Sequence, residues 1–208
     1  MSPQPEGSSV ASPASCSSSG AIEFTSEERT VLLKLAHEAI LSALEGREIS
    51  LTPPSPHLSE PRGAFTTIYF QGLLRGCVGY VFPVTSLYRT VAETARAAAF
   101  EDTRFSPVAL AEAPELEVSL SILSPLRTVK PEEVEIGLHG LVIAQGGHRG
   151  LLLPQVPIEH QWDRTTFLEQ TCRKAGLPPD AWQKGATLEA FTAEVFGDQE
   201  MRGPFLKD

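Results

Sequence analysis

Glu115-Leu116-Glu117-Val118-Ser119-Leu120-Ser121-Ile122 alternates without a break. A β-strand sends successive side chains to opposite faces, so Leu116, Val118, Leu120 and Ile122 fall on one side and Glu115, Glu117, Ser119 and Ser121 on the other. A strand that is apolar on one face only belongs in an antiparallel sheet, because parallel strands are covered on both faces and read as continuous apolar runs. The flanking sequence must therefore supply antiparallel partners and a cover for the apolar face.

Both are present. Upstream, Ala64 to Phe70 and Leu73 to Tyr80 are two strand-like runs joined by Gln71-Gly72, a two-residue connection that predicts a β-hairpin with Gly72 at positive φ. Downstream, Gly140 to Ala144 and Gly150 to Leu153 flank Gln145-Gly146-Gly147 and predict a second hairpin. A last strand is expected over Leu188 to Phe196, with Phe191, Ala193 and Val195 on its inward face. Thr25-Ser26-Glu27-Glu28 offers a capping box, and the apolar spacing from Val31 to Leu44 predicts a helix that ends near Gly46. Ser86 to Phe100, rich in Ala, Arg and Glu, reads as a second helix with Ser86 as cap. Asp163 can cap a third from about Arg164 to Ala175, stopped by Gly176 and Pro178. Between Leu51 and Gly63, four prolines predict an irregular loop. Strands and helices interleave without regular βαβ spacing, so the expected class is α+β, a mainly antiparallel sheet with flanking helices.

A chain of 208 residues, 41% hydrophobic and 21% charged, can bury a sizeable core as one domain or two closely packed lobes. Its net charge of -9 opposes attraction to nucleic-acid backbones and anionic lipid. No run approaches the roughly 20 apolar residues of a membrane span. The three cysteines, Cys16, Cys77 and Cys172, include no CxxC pair and leave one over. That usage, with no signal-like N-terminus, predicts a reducing compartment and a cytoplasmic location. Residues 1–22, rich in Ser and Pro, are expected to form a flexible tail, 23–199 the folded domain, and 200–208 a C-terminal tail. No Walker-type loop, dinucleotide fingerprint, Gly-x-Ser-x-Gly or Cys/His cluster occurs, so neither a cofactor nor a metal is expected.

The best candidate for chemistry is Cys77, in Leu74-Arg75-Gly76-Cys77-Val78-Gly79. In a regular strand residues 75, 77 and 79 share a face, which would set the Arg75 guanidinium beside the Cys77 thiol and favour thiolate, the form that serves as nucleophile, redox thiol or metal ligand. Gly76 and Gly79 leave room for another backbone or for a ligand. The competing explanation is that a free cysteine packs as a small hydrophobe, which fits Cys172, beside core-facing Phe167 and Leu168, better still. In Phe100-Glu101-Asp102-Thr103-Arg104-Phe105-Ser106-Pro107, Asp102 and Arg104 either orient a ligand or pair with each other on a solvated loop. His139 could act as general base; His37, His57, His148 and His160 have no partners at metal-ligand spacing.

These segments resemble the AMMECR domain family, whose prokaryotic members are called AmmeMemoRadiSam system protein A. The resemblance runs in order through Arg62-Gly63-Ala64-Phe65-Thr66-Thr67, the Cys77 segment, Asp102 to Pro107, Leu116 to Ser121, His139-Gly140-Leu141, Leu152-Leu153-Pro154-Gln155-Val156 and Gln161-Trp162-Asp163, spanning roughly residues 25 to 197. It implies an α+β fold in two intimately packed lobes with the cysteine segment near the cleft between them. It also implies a shared site, in which Cys77, Arg75 and His139 would carry catalysis and Arg62, Asp102 and Arg104 would bind substrate. The family name implies company as well, a Memo-like protein and a radical S-adenosylmethionine enzyme. This chain lacks the three-cysteine spacing of a radical enzyme's cluster, so that chemistry would belong to the partner. The functional expectation is a cysteine-dependent enzyme acting on a small molecule, anions among the candidates. The alternative is a non-catalytic binding or scaffold component of the same system.

Overall fold

The computed structural model describes residues 22–201. Residues 1–21 and 202–208, which make up most of the two expected tails, lie outside the described residues. The elements in chain order are α1 (Ser26–Glu45), β1 (Ala64–Phe70), β2 (Leu73–Tyr80), α2 (Leu87–Phe100), β3 (Leu116–Leu123), β4 (Arg127–Thr128), β5 (Gly140–Gln145), β6 (His148–Leu152), α3 (Val156–Glu159), α4 (Arg164–Lys174), β7 (Thr187–Phe191) and β8 (Ala193–Gly197), with a last short helix, α5 (Asp198–Met201). The fold is α+β, and all strand pairs are antiparallel.

The alternating stretch becomes β3, an inner strand of a four-stranded sheet ordered β2-β1-β3-β8. Leu116, Val118, Leu120 and Ile122 are buried as expected, each contributing on the order of 2 kcal/mol of apolar burial. They face α1 and α2, which pack on each other and on this side of the sheet. The Thr25–Glu28 capping box starts α1, and Gly46 ends it in the left-handed conformation. The Ser86 hydroxyl caps α2 by accepting from the Arg89 amide. Gly76 explains how α2 lies so close to β2: any Cβ there would run into the Ala98 carbonyl.

The second four-stranded sheet is ordered β4-β7-β5-β6. Helix α4, capped by Asp163, covers it with Phe167, Leu168 and Cys172 fully buried. The two sheets meet across Leu123, Val142 and Phe191, with Phe65, Val81 and Leu153 packed around them. Each lobe thus has its own core, and a further apolar cluster joins them.

Two expectations from spacing are corrected. The single strand over Leu188 to Phe196 is two strands in different sheets, broken at Thr192 where the chain passes from one lobe to the other. Thr192 is tied to Ser124 by two hydrogen bonds, its amide donating to Ser124 Oγ at 3.0 Å and its carbonyl accepting the Ser124 amide at 2.9 Å. The break changes the face of β8, so Phe196 is buried and Val195 is exposed. The other correction lies in β2. Ile68 pairs with Gly76 but Tyr69 with Leu74, so Arg75 is an extra, unpaired residue, a β-bulge. Arg75 therefore does not simply share a regular strand face with Cys77.

Candidate functional site

The face of the first sheet that points away from the helices carries Cys77 on β2, Phe65 and Thr67 on β1, Ser121 on β3 and Val195 on β8. The register sets them side by side, since Thr67 pairs with Cys77, Phe65 with both Gly79 and Ser121, and Ser121 with Val195. Gly79 is bare because the Phe65 ring occupies the position its side chain would need. This face is the floor of a cavity of about 220 Å³. Its roof comes from the second lobe: Gly137 and Leu138 before β5, Leu153, Pro154 and Gln155 after β6, and Ile158 on α3. Gly137 adopts φ 84° and lies against Ile158, a close approach that a side chain would block. The cavity therefore sits between the lobes, the position the resemblance implied for Cys77.

The thiol accepts a hydrogen bond from the Thr67 hydroxyl, Oγ1 to Sγ at 3.3 Å. The Cys77 main chain is held from the opposite direction. Strand β2 is an edge, and its outward amide and carbonyl at Cys77 would otherwise lack a strand to pair with. The Cys77 N–H donates to Asp102 Oδ2 at 2.9 Å, and the Cys77 carbonyl lies 3.5 Å from Arg104 Nη2. Asp102 and Arg104 close the clasp on each other at 2.7 and 2.9 Å. The side chain of Asp102 is 7% exposed and that of Arg104 58%. Hydrogen bonding to Arg104 first, and to the Cys77 amide second, holds the Asp102 carboxyl far below the usual carboxylate range. Arg104 is correspondingly raised, chiefly by Asp102.

The remaining expected site residues lie elsewhere. Arg75 makes a two-pronged pair with Glu112, at 2.9 and 3.1 Å, and donates to the carbonyls of Ser106 and Pro107. It fastens the loop after α2 to β2. Arg62 is buried in a pair with Glu23 and Glu60 and lines a different cavity of about 280 Å³ with Val81, Leu126 and Phe191. Burial works against its charge, but the hydrogen bonds it donates to Glu60 and Glu23 outweigh that and raise its pKa. His139 is buried in the second lobe, where Nδ1 accepts the Glu135 amide at 3.0 Å and Nε2 faces Arg127 Nη2 at 3.2 Å. Burial first and the Arg127 charge second push its pKa down. It is not among the residues lining the Cys77 cavity. The expected six-residue site thus separates into Cys77 with Asp102 and Arg104, an adjoining Arg75 anchor, and two groups, Arg62 and His139, that do not line the Cys77 cavity.

The AMMECR1 family model matches residues 33–196, which include both lobes and the whole lining of the cavity. The chain belongs to the AMMECR1 family. It is 40% identical over 194 residues to Protein MK0488 of Methanopyrus kandleri, a match that covers 88% of this chain and 94% of that one. Protein MJ0810 of Methanocaldococcus jannaschii is 39% identical over 194 residues, covering 88% and 96%. The crystal structure of the uncharacterized protein PH0010 from Pyrococcus horikoshii superposes with a TM-score of 0.67 at 39% identity, covering 84% of this chain and 93% of its own.

Sequence reasoning missed Thr67, Ser121 and Gln155 as site residues. All three stand in segments that carry the family resemblance. The signal available was the polar face of the alternating strand: Ser121 lies on the side opposite the helical core, and that side is roofed by the second lobe. Only the packing of the two sheets reveals the roof.

Proposed function

We propose that the protein is a cysteine-dependent enzyme in which Cys77 attacks an electrophilic carbon of a small molecule held between the lobes. The observation that carries this reading is the position of the thiol: it opens into a bounded cavity, takes a hydroxyl donor from Thr67, and is fixed at its main chain by Asp102 and Arg104. Such preorganisation favours nucleophilic catalysis, because the reacting atom is held in place and the Thr67 hydroxyl donates to it. In the covalent step a sulfur–carbon bond forms, the π pair of the polarised carbon–heteroatom bond moves to the heteroatom, and the thiol proton ends there. The step balances with no added oxidant or reductant. Cysteine usage supports a reducing, cytoplasmic setting, and the family resemblance supports a Memo-like protein and a radical S-adenosylmethionine enzyme as the partners that supply or take the molecule.

Incubation of the full chain with a small-molecule cell extract, followed by mass profiling, tests the proposal. A compound consumed by the native protein and spared by Cys77→Ser, with both proteins equally folded, is the expected result. Equal consumption by the two proteins, or none by either, would overturn it.

The alternative, a non-catalytic component that docks companion proteins, draws support from one surface feature. Leu73 and Leu74 at the hairpin tip are 74% and 41% exposed, and Leu110 is 55% exposed. On that reading Leu73→Glu abolishes capture of the Memo-like or radical enzyme in a pull-down, while Cys77→Ser leaves it intact.

A further inference from the structure

The residues around the Cys77 cavity also restrict the charge of what can enter it. Not one of them is Lys, Arg, His, Asp or Glu. The sequence led to an expectation of anions through Arg62 and Arg104, and neither lines this cavity. Arg62 belongs to Glu23 and Glu60, and Arg104 is neutralised by Asp102. An ion brought in here would give up part of its hydration with no opposite charge on the walls to replace it, a cost for either sign.

Uncharged polar groups, by contrast, have partners waiting. Ser121 and the exposed Gln155 both line the cavity, and neither side chain is used in a hydrogen bond within the described residues. Together they offer donors and acceptors without net charge. The rest of the wall is apolar, and Ile158 and Val195, which line it, are 43% and 48% exposed. The volume holds on the order of seven water-sized groups.

We propose that the Cys77 cavity selects an uncharged small molecule, with one hydrogen-bonding group for Ser121 or Gln155 and an apolar limb, over an anion of the same size. This deepens the reading of Cys77 as a nucleophile and rests on it.

Iodoacetamide and iodoacetate form a matched probe pair, nearly equal in size and differing in charge. In both reactions the Cys77 thiolate bonds to the methylene carbon and iodide leaves with the carbon–iodine pair. Rates are read at Cys77 by mass mapping on the intact full chain, each divided by the rate at the same residue in the urea-unfolded chain. The normalised preference for iodoacetamide is expected to be at least tenfold. A preference near one, or inverted, overturns the inference while leaving Cys77 as a reactive thiol. If Cys77 in the folded chain reacts with neither reagent, the nucleophile reading itself fails and takes this inference with it. Gln155→Lys, a change at an exposed position, supplies the second arm. It is expected to raise the relative iodoacetate rate at least threefold, and no change would also count against selection by the cavity.

Discussion

The carboxylate of Asp102 accepts the main-chain N–H of Cys77 at 2.9 Å, across the open edge of β2. The same carboxylate binds Arg104, which reaches toward the Cys77 carbonyl, so two side chains do for this residue what a neighbouring strand would do. The thiol thereby keeps a fixed aim into the cavity while its backbone stays at the margin of the sheet.

The clasp has a defined pH dependence. An unfolded Asp titrates near 3.9, whereas Asp102 in the fold is held well below that value by Arg104 and then by the Cys77 amide. Its contribution to stability is therefore complete above about pH 4 and is lost as the pH falls through the depressed folded value. The gap in urea midpoint between the native chain and Asp102→Asn is expected to stay constant from pH 8 to 6 and to narrow progressively below about 4. A gap that does not change on acidification would contradict the clasp.

Arg104 and Arg75 are expected to differ in their effect on the thiol. Arg104 completes the clasp on the Cys77 main chain, so Arg104→Gln should loosen the aim of the thiol and change the iodoacetamide labelling rate of Cys77 severalfold. Arg75→Gln should leave that rate within about twofold, because its guanidinium is engaged with Glu112. It should instead lower the melting temperature, since Glu112, held below its ordinary pKa chiefly by Arg75, loses its partner. The reverse pattern would restore Arg75 to the role its sequence position suggested.

His139 is expected to matter for stability and not for the thiol. Burial and Arg127 hold its pKa below 6.5, so as the pH falls below that value the unfolded chain binds a proton that the folded chain refuses, and stability declines. His139→Gln should flatten the fall in urea midpoint between pH 8 and 5.5 and leave Cys77 labelling within about twofold. A tenfold loss of labelling in a folded His139→Gln protein would instead mark it as a general base.

Much of the fold can be read from residues whose effects are local. The alternation of β3, the Thr25–Glu28 capping box, the Asp163 cap and the Gln71-Gly72 turn, with φ 51° and 76°, each act within a few residues. The bulge at Arg75 and the break at Thr192 are not local in this sense. Leu73 to Tyr80 and Leu188 to Phe196 read as continuous strands, and the partners at each interruption are distant in sequence: Arg75, at the bulge, pairs with Glu112, and the two halves of the second run join different sheets. The site divides in the same way. Cys77, Asp102 and Arg104 were within reach because they stand in two distinctive segments. Arg62 enters the expected site through the family resemblance, and His139 through residue type and the same resemblance, whereas their partners lie within separate parts of the fold.

Site-resolved labelling of the native chain with iodoacetamide, read as separate rates at Cys77 and Cys172, tests most directly whether the inter-lobe cavity presents a reactive thiol. Cys172 is fully enclosed, and burial pushes its thiol up. Cys77 is predicted to react at least about a hundredfold faster than Cys172 under native conditions, with Cys172 reacting only on unfolding. Equal protection of the two thiols, with Cys77 likewise released only by denaturant, would contradict it.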